Sequence, residues 1–441
     1  MPIKKTYHAG GQWTGGAYGM RLVIAGGGTG GHFFPGLALA EELLSRGPGH
    51  SVLFMGARGG IEERILPLHS HKFELLPSIK GGFCHFDAPR KFWLGCKGYL
   101  HARRALLNFN ADAVVGLGGY ASALPVLAAW GVEIPRMILE QNVIPSRTNR
   151  HLASFTDQIG VQFPEAARHF SKPLRVKHTG NPLRKKVLES AALAAPRNML
   201  LRETPTEPTL LVVGGSQGAK ALNDIAIKAW PRLKHCLPGL RMILVSGRED
   251  ERRCVEAFAA NGIRGSVVGF VEAMEDLYIQ SDVVLARAGA TSLAEISAFA
   301  LPSILVPYPH AADNHQVENA RVYADRGAGW IMLQNEIEPE RLAQRVADAV
   351  LQPERRRKMS AAAHALAVPE SARETIDRLL AMSSDISQRI TTVNSQTRAQ
   401  ALAREQNQSA VPAHPHMANS STLADRDGAV RTGAKQLAEV A

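Results

Sequence analysis

The sequence predicts an α/β protein built from two Rossmann-like domains that face each other across a cleft. A glycine-rich turn between a strand-like run and a helical pattern occurs twice, about half a chain apart. Around each turn, apolar runs of strand length alternate with helical patterns, the signature of a parallel sheet wrapped by helices. The 441 residues also exceed what one hydrophobic core organises, roughly 150 residues per domain being the working figure.

The first turn, Arg21-Leu-Val-Ile-Ala-Gly-Gly-Gly-Thr-Gly-Gly-His32, is an apolar run that breaks into five glycines and leads into the helical pattern Gly36-Leu-Ala-Leu-Ala-Glu-Glu-Leu-Leu44. The second is Thr209-Leu-Leu-Val-Val-Gly-Gly-Ser-Gln-Gly-Ala219. Glycine permits positive backbone torsions and lets a ligand approach bare amides, while the following helix offers its positive end to an anion. A diphosphate suits that chemistry.

Further strands of the first domain are expected at Ser51 to Met55, Ala113 to Leu117, Arg136 to Leu139 and Gln158 to Val161. Residues 1–19 read as an extension, with Met20 a plausible start, and residues 20–181 as the first domain. Gly180-Asn-Pro-Leu-Arg184 and the weakly patterned stretch after it, with Pro196, Pro205 and Pro208, look like an interdomain connection. The second domain, residues 182–365, carries strand-like runs at Leu210 to Val213, Arg241 to Val245, Ser266 to Val268, Val283 to Ala286 and Ser303 to Val306. Residues 383–441 contain no Phe, Trp or Tyr and hold six basic against five acidic residues, which predicts a disordered C-terminal tail. The basic character therefore belongs to the folded body.

Composition narrows the function classes. Apolar residues at 45% and charged residues at 21% fit an ordinary globular enzyme. The four cysteines, Cys84, Cys96, Cys236 and Cys254, form no Cys-x-x-Cys pair and have no histidines at zinc spacing, which points to a reducing compartment and no structural metal. A net charge of +11 calls for an anionic partner: nucleic acid, acidic lipid or a phosphorylated substrate. No segment approaches the ~20 apolar residues of a membrane span. The run after Lys4 and Lys5 lacks the apolar block of a signal peptide.

Several turns carry chemistry. Gly26-x-Gly28-x-x-Gly31 satisfies the dinucleotide fingerprint, but the acidic residue expected about 20 positions on is replaced by Gly56-Ala-Arg58, which leaves a nicotinamide dehydrogenase as a minor alternative. Arg287-Ala-Gly-Ala-Thr291-Ser292-Leu-Ala-Glu295 places a tight turn and a helix start after a strand. Free amides and Ser292 can hold a phosphate oxygen there, and Glu295, one turn in, can take both hydroxyls of a ribose. The same Ser292-x-x-Glu295 also matches a capping box that only starts the helix. The loop from Pro307 to Asn319 gathers His310, Asp313, Asn314, His315, Gln316 and Asn319, and Gln316 at least is expected to bind ligand. Gly116-Leu-Gly-Gly-Tyr120-Ala-Ser122 and Glu140-Gln-Asn142 reach the same sheet edge as His32, so His32, Glu140 and Asn142 are candidates for a base, its orienting partner and a sugar ligand.

Gly27-Gly-Thr-Gly-Gly-His32, Gly118-Gly-Tyr-x-Ser122, Glu140-Gln-Asn142, Gly180-Asn-Pro-x-Arg184, Gly214-Gly-Ser-Gln-Gly218, Arg287-x-Gly-Ala290 and Asp313-Asn-His-Gln316, in this order over about residues 20 to 382, resemble the MurG family. That family adds N-acetylglucosamine from UDP-GlcNAc to undecaprenyl-pyrophosphoryl-MurNAc-pentapeptide in bacterial cell-wall synthesis, at the cytoplasmic face of the plasma membrane. The resemblance implies a GT-B fold, with acceptor on the N-terminal domain, sugar nucleotide mainly on the C-terminal one, and a helix from about residue 366 to 382 packing back on the first domain. It implies that Thr29, Gly30 and Gly31 line the cleft, that Asn142 and Gln316 hold the GlcNAc hydroxyls, and that Arg184 and Ser216 reach the diphosphate or sugar. Val271 would receive uracil through its backbone, Glu295 the ribose and Ser292 a phosphate, with Tyr120, Arg287, Ala290, Thr291 and His315 completing the substrate contacts. One departure is Leu139, where the family commonly has histidine before Glu-Gln-Asn.

The family's outcome is inversion, so His32 or Glu140 is expected to take the proton of the acceptor's 4-hydroxyl while aimed donors stabilise the departing UDP. With no Asp-x-Asp at a strand end, neither metal nor cofactor is expected. Ile79 to Phe86 and then Arg90-Lys-Phe-Trp-Leu94, Lys97, Tyr99, Arg103 and Arg104 interleave aromatic and basic residues, as a face on an anionic membrane does. An amphipathic core helix with a basic outer side is the alternative for this stretch. Another GT-B glycolipid transferase is the nearest rival function, and no nucleic-acid-binding motif is present.

Overall fold

A computed structural model of the chain describes residues 19–27, 30–59, 63, 71–77, 88–200, 203–215 and 218–384. The expected N-terminal extension and C-terminal tail fall outside these residues, save Gly19 and a helix end at 383–384, as do Thr29 and Ser216.

The first domain runs β1 (Arg21–Ala25), α1 (Gly30–Ser45), β2 (Ser51–Ala57), β3 (Lys72–Leu76), α2 (Ala88–Phe109), β4 (Ala113–Gly116), α3 (Tyr120–Gly131), β5 (Arg136–Glu140), α4 (Arg147–Leu152), β6 (Gln158–Val161) and β7 (Val176–His178). Its strands form one parallel sheet of order β3-β2-β1-β4-β5-β6-β7. Leu22, Ile24, Phe54, Val115 and Leu139 point to the face covered by α1, while Val23, Ala25, Met55, Val114 and Ile138 point to the face holding Ala102, Leu106 and Val126 of α2 and α3. Burial on both faces explains why these strands read as unbroken apolar runs.

The second domain repeats the plan with α5 (Lys185–Leu200), β8 (Thr209–Val213), α6 (Lys220–Cys236), β9 (Arg241–Val245), α7 (Glu251–Ala260), β10 (Gly265–Val268), α8 (Glu275–Tyr278), β11 (Val283–Ala286), α9 (Ala290–Ala298), β12 (Ser303–Leu305), α10 (His315–Asp325), β13 (Gly329–Ile331), α11 (Pro339–Leu351) and α12 (Pro353–His364). Its parallel sheet has the order β10-β9-β8-β11-β12-β13. A last helix over 371–384 buries Ala372, Ile376 and Leu379 among Leu22, Leu39 and Phe54 of the first domain.

The stretch from Lys185 is not the irregular connection that its prolines suggest. It forms α5 through Pro196, because Val187, Ala191, Ala194 and Leu183 lie at helical spacing and bury against Leu211, Ile243 and Phe299. The two sheets reverse strand order between β1 and β4 and between β8 and β11, where crevices open at the carboxyl ends of the strands. Val143 and Phe163, just after β5 and β6 of the first domain, pack with Ala288, Ala290 and Leu293 just after β11 in the second, an apolar contact between the two domains.

Candidate active site

Each side of the junction is built from strand ends. In the first domain β1 delivers the N-terminus of α1, β4 the turn Leu117-Gly-Gly-Tyr120, and β5 the segment Glu140-Gln-Asn142. His32 lies in the first turn of α1. Its ring rests on the β4 turn so closely that a Cβ on Gly118 would stand 3.3 Å from the ring Cδ2, and one on Gly119 3.7 Å from Nδ1. Both glycines have positive φ, 92° and 72°, so the turn needs glycine for its torsions as well as for this approach. Burial, and second the charge of nearby His315, push the His32 imidazole down to about 4, so it is neutral near pH 7.

Glu140 is only 2% exposed. One carboxylate oxygen accepts the Asn142 amide N–H at 2.9 Å and the Asn142 Nδ2 at 3.2 Å. The other accepts the Ser146 N–H at 3.0 Å and Asn149 Nδ2 at 2.8 Å. Burial raises its proton affinity, and these four donors oppose that shift by stabilising the charged form. Glu140 thereby pins the segment that follows β5 to the start of α4, and its lone pairs are committed to that task. Gln141 adds a bond from Nε2 to the Leu117 carbonyl at 3.0 Å, tying the β5 end to the β4 turn.

The second domain closes on this surface through polar side chains. Thr291 Oγ1 donates to the Gly31 carbonyl at 3.0 Å and accepts from Asn181 Nδ2 at 3.2 Å. Gln162 Nε2 donates to the Ala290 carbonyl at 3.0 Å. Asn319, which the sequence marks only as one of the polar residues of its loop, is fully buried: its Nδ2 donates to Asn142 Oδ1 at 3.0 Å and to the Ala288 carbonyl at 3.1 Å, and its Oδ1 accepts the Val143 N–H at 2.9 Å. It sits one turn beyond Gln316 on α10. Arg150 pairs with Asp313 at 2.8 Å and Arg326 with Glu165 at 2.6 Å across the same junction.

Around β11 the arrangement differs from a simple helix cap. α9 is preceded by Gly289 as its N-cap residue, so Ser292 and Glu295 form no capping box. Glu295 instead accepts a hydrogen bond from Tyr278 Oη at 3.0 Å. Burial pushes its carboxyl up to about 7, opposed by the Tyr278 bond and Arg184 and reinforced by Glu275. Ser292 stands half-buried in the first turn of α9, beside the unshared amides of that helix start. Arg287 is buried and, among the described residues, meets no carboxylate; its guanidinium donates to the Val306 and Pro307 carbonyls at 3.1 and 3.2 Å and to Gln334 Oε1 at 2.6 Å. Burial lowers its affinity for a proton.

The remaining expected contacts spread along this edge. Arg184 is drawn to Glu275 Oε2 at 3.3 Å and to the Glu272 carbonyl at 2.8 Å, with its guanidinium 5.2 Å from the centroid of Phe34. Val271 lies half-buried in the loop after β10. Gln316 Oε1 accepts the Tyr308 N–H at 2.9 Å, and His315 Nδ1 lies 2.7 Å from the Ala312 carbonyl. Tyr120 and Gly30 open α3 and α1. The arrangement offers a neutral imidazole, a helix start with a hydroxyl, a buried guanidinium and an acidic group within one interdomain setting, which suits attack by a hydroxyl on a sugar carrying an anionic leaving group.

On the sheet face opposite α1, α2 buries Gly98, Ala102, Ala105 and Leu106, and turns Trp93, Lys97, Leu100 and Arg104 outward at helical spacing. Phe92 is 73% and Trp93 56% exposed, and Lys97 Nζ lies 3.5 Å from the Trp93 ring centroid. Phe83 and the rest of Ile79 to Phe86 fall outside the described residues. No helix among the described residues is long and apolar enough to cross a membrane.

Residues 22–161 match the glycosyltransferase family 28 N-terminal domain and residues 209–378 the glycosyltransferase family 28 C-terminal domain. A relative from Geobacter metallireducens, named UDP-N-acetylglucosamine--N-acetylmuramyl-(pentapeptide) pyrophosphoryl-undecaprenol N-acetylglucosamine transferase, is 41% identical over 82% of this chain and 98% of its own length. A protein of the same name from Anaeromyxobacter dehalogenans is 41% identical over 81% of this chain and 92% of its own. Among solved structures, the MurG of Acinetobacter baumannii superposes with a TM-score of 0.64 at 27% identity, covering 82% of this chain and 99% of that one.

Proposed function

The chain belongs to glycosyltransferase family 28 and within it to the MurG family, and from that premise we propose how its cleft carries out the reaction. It is an N-acetylglucosaminyltransferase that moves GlcNAc from UDP-GlcNAc to the N-acetylmuramyl-(pentapeptide) pyrophosphoryl-undecaprenol acceptor of peptidoglycan synthesis.

In our reading His32 is the base. The observation that carries this is the seating of its ring on Gly118 and Gly119 at the mouth of the first switch point, where burial favours the neutral imidazole. A diphosphate bound beside it would raise its proton affinity from about 4 toward neutral pH, where a base serves best. Glu140 serves by placement instead, because its four donors leave it no acceptor site for a substrate proton and orient Asn142. The acceptor's 4-hydroxyl attacks the anomeric carbon as His32 takes its proton, the bond to UDP breaks, and the configuration inverts. Ser292, the first amides of α9 and the Arg287 guanidinium stabilise the charge growing on the departing diphosphate. Glu295 takes the ribose hydroxyls, Val271 the uracil, and Asn142, Gln316 and Asn319 the sugar end. Thr291 acts as a clamp between the domains, since its hydroxyl is already shared between Gly31 and Asn181. Arg184 is held by Glu275 and reaches the diphosphate only by leaving that pair.

The enzyme meets its lipid-linked acceptor by lying on an anionic membrane through α2. Trp93 and Leu100 seat in the interface while Lys97 and Arg104 meet headgroups, as the outward stripe and the exposure of Phe92 support. Thermal protection tests the donor assignment. UDP-GlcNAc raises the midpoint of unfolding and NAD does not; protection by NAD with indifference to UDP-GlcNAc would reverse the assignment.

A further inference from the structure

Tyr278 belongs to α8, a helix of four residues between the uracil-side loop and β11. Its side chain is fully buried, with the ring centroid 5.3 Å from that of Phe299, and its hydroxyl ends on Glu295 Oε2 at 3.0 Å. Among the described residues this is the only hydrogen bond to the Glu295 carboxylate. A carboxylate that is to accept two ribose hydroxyls needs a fixed plane, and one rigid donor from a packed aromatic side chain supplies it. The helix is itself anchored: Glu275, 1% exposed, pairs with Arg184 at 3.3 Å and with Lys186 Nζ at 3.2 Å at the start of α5. The charged and titratable groups acting on Glu295 are therefore Tyr278 and Glu275 from α8 and Arg184 from the segment leading into α5.

We propose that Tyr278 is a positioning residue for donor recognition, orienting Glu295 toward the ribose through its phenolic hydrogen bond. The proposal deepens the donor reading above and rests on Glu295 receiving the ribose. Burial opposes ionisation of Glu295, and the Tyr278 hydroxyl, kept protonated by its own burial and by Glu295, offsets part of that opposition. Removing the hydroxyl while keeping the ring leaves the packing on Phe299 in place and weakens only this link.

The test compares wild type, Tyr278→Phe, Glu295→Gln and the double variant, with UDP-GlcNAc and its 2′,3′-dideoxyribose analogue as donors and a lipid-linked acceptor. Wild type is expected to discriminate against the analogue. Tyr278→Phe is expected to raise KM for UDP-GlcNAc about tenfold, the size of a lost hydrogen bond to a charged group, with kcat within about twofold and the analogue's KM unchanged. The acidic limb of 1/KM for UDP-GlcNAc moves to higher pH in this variant, and the double variant is no worse than Glu295→Gln alone. Equal KM increases for both donors, or independent losses in the double variant, would make Tyr278 a packing residue and overturn the proposal. Wild type that treats both donors alike would remove the ribose from Glu295 and the proposal with it, an outcome separate from the failure of Tyr278 alone.

Discussion

Asn319 Nδ2 donates to Asn142 Oδ1 at 3.0 Å, joining α10 of the second domain to the end of β5 in the first. The same amide satisfies the Ala288 carbonyl and the Val143 N–H, so one fully buried side chain closes the junction beside the candidate sugar site. Asn319→Leu keeps the branched shape and strands those partners. It should cost about 2–4 kcal/mol in urea unfolding, from buried polar groups left unpaired. A change within experimental error would show that the amide does not hold the domains.

His32 and Glu140 separate by the kind of damage their removal causes. His32→Gln should lower kcat about 10²- to 10⁴-fold with donor KM nearly unchanged, the range of a lost general base. Glu140→Gln replaces an acceptor of four hydrogen bonds by an amide that meets the same N–H groups with its own NH2. It should lower unfolding stability by about 1–3 kcal/mol and loosen the Asn142 segment. A fully stable Glu140→Gln protein with the larger loss of kcat would transfer the base role to Glu140.

Two buried groups give stability opposite pH dependences. Glu295 is pushed up to about 7 from an ordinary 4.5, so the folded state holds a proton that the unfolded state releases between those values. Its favourable contribution is full below about pH 4.5 and lost as pH rises through about 7. His32, pushed down to about 4 from 6.5, contributes stability that is present above 6.5 and lost as pH falls toward 4. Each effect is at most about 3 kcal/mol. Over about pH 4.5 to 6.5 the two slopes oppose each other, so the melting temperature should rise with pH across that window in Glu295→Gln, where His32 acts alone, and fall in His32→Gln, where Glu295 acts alone. Unchanged profiles in both variants would contradict these environments.

The outward stripe of α2 makes a surface prediction. Phe92→Ser, Trp93→Ser and Leu100→Ser combined should lower co-sedimentation with anionic vesicles about tenfold or more, because each side chain is exposed and contributes little to the core. Activity on a short-chain soluble acceptor should persist. Equal vesicle binding by wild type and variant would remove α2 from the membrane contact.

Much of the fold was legible because doubly covered parallel strands are unbroken apolar runs, as in Arg21–Ala25 and Thr209–Val213. β3 and β7 escaped because they lie at the sheet edges, where Lys72, Phe73 and His178 are exposed and no inward run marks them. β13, only three residues at the other sheet's edge, escaped as well. The glycine turns at the strand ends were legible too, since positive φ at Gly118 and Gly119 leaves a mark in composition. What the sequence could not convey was commitment. In one dimension the carboxylate of Glu140 looks like a free catalytic group and the hydroxyl of Thr291 like a free substrate contact, and only the fold brings up Asn149, Ser146, Asn181 and Gly31 to occupy them. Tyr278 carried no motif and Asn319 only its place in a polar loop, because each acts through a partner in another element.

The central claim is that the junction of the two domains joins GlcNAc to the lipid-linked acceptor by a single inverting displacement. The direct measurement incubates the purified protein with radiolabelled UDP-GlcNAc and undecaprenyl-pyrophosphoryl-MurNAc-pentapeptide, then determines the anomeric configuration of the labelled lipid by NMR. Label in the lipid fraction in proportion to UDP released, with a β-linkage to the MurNAc 4-hydroxyl, is the predicted result. An α-linked product, or UDP released with the label left as free GlcNAc, would contradict it.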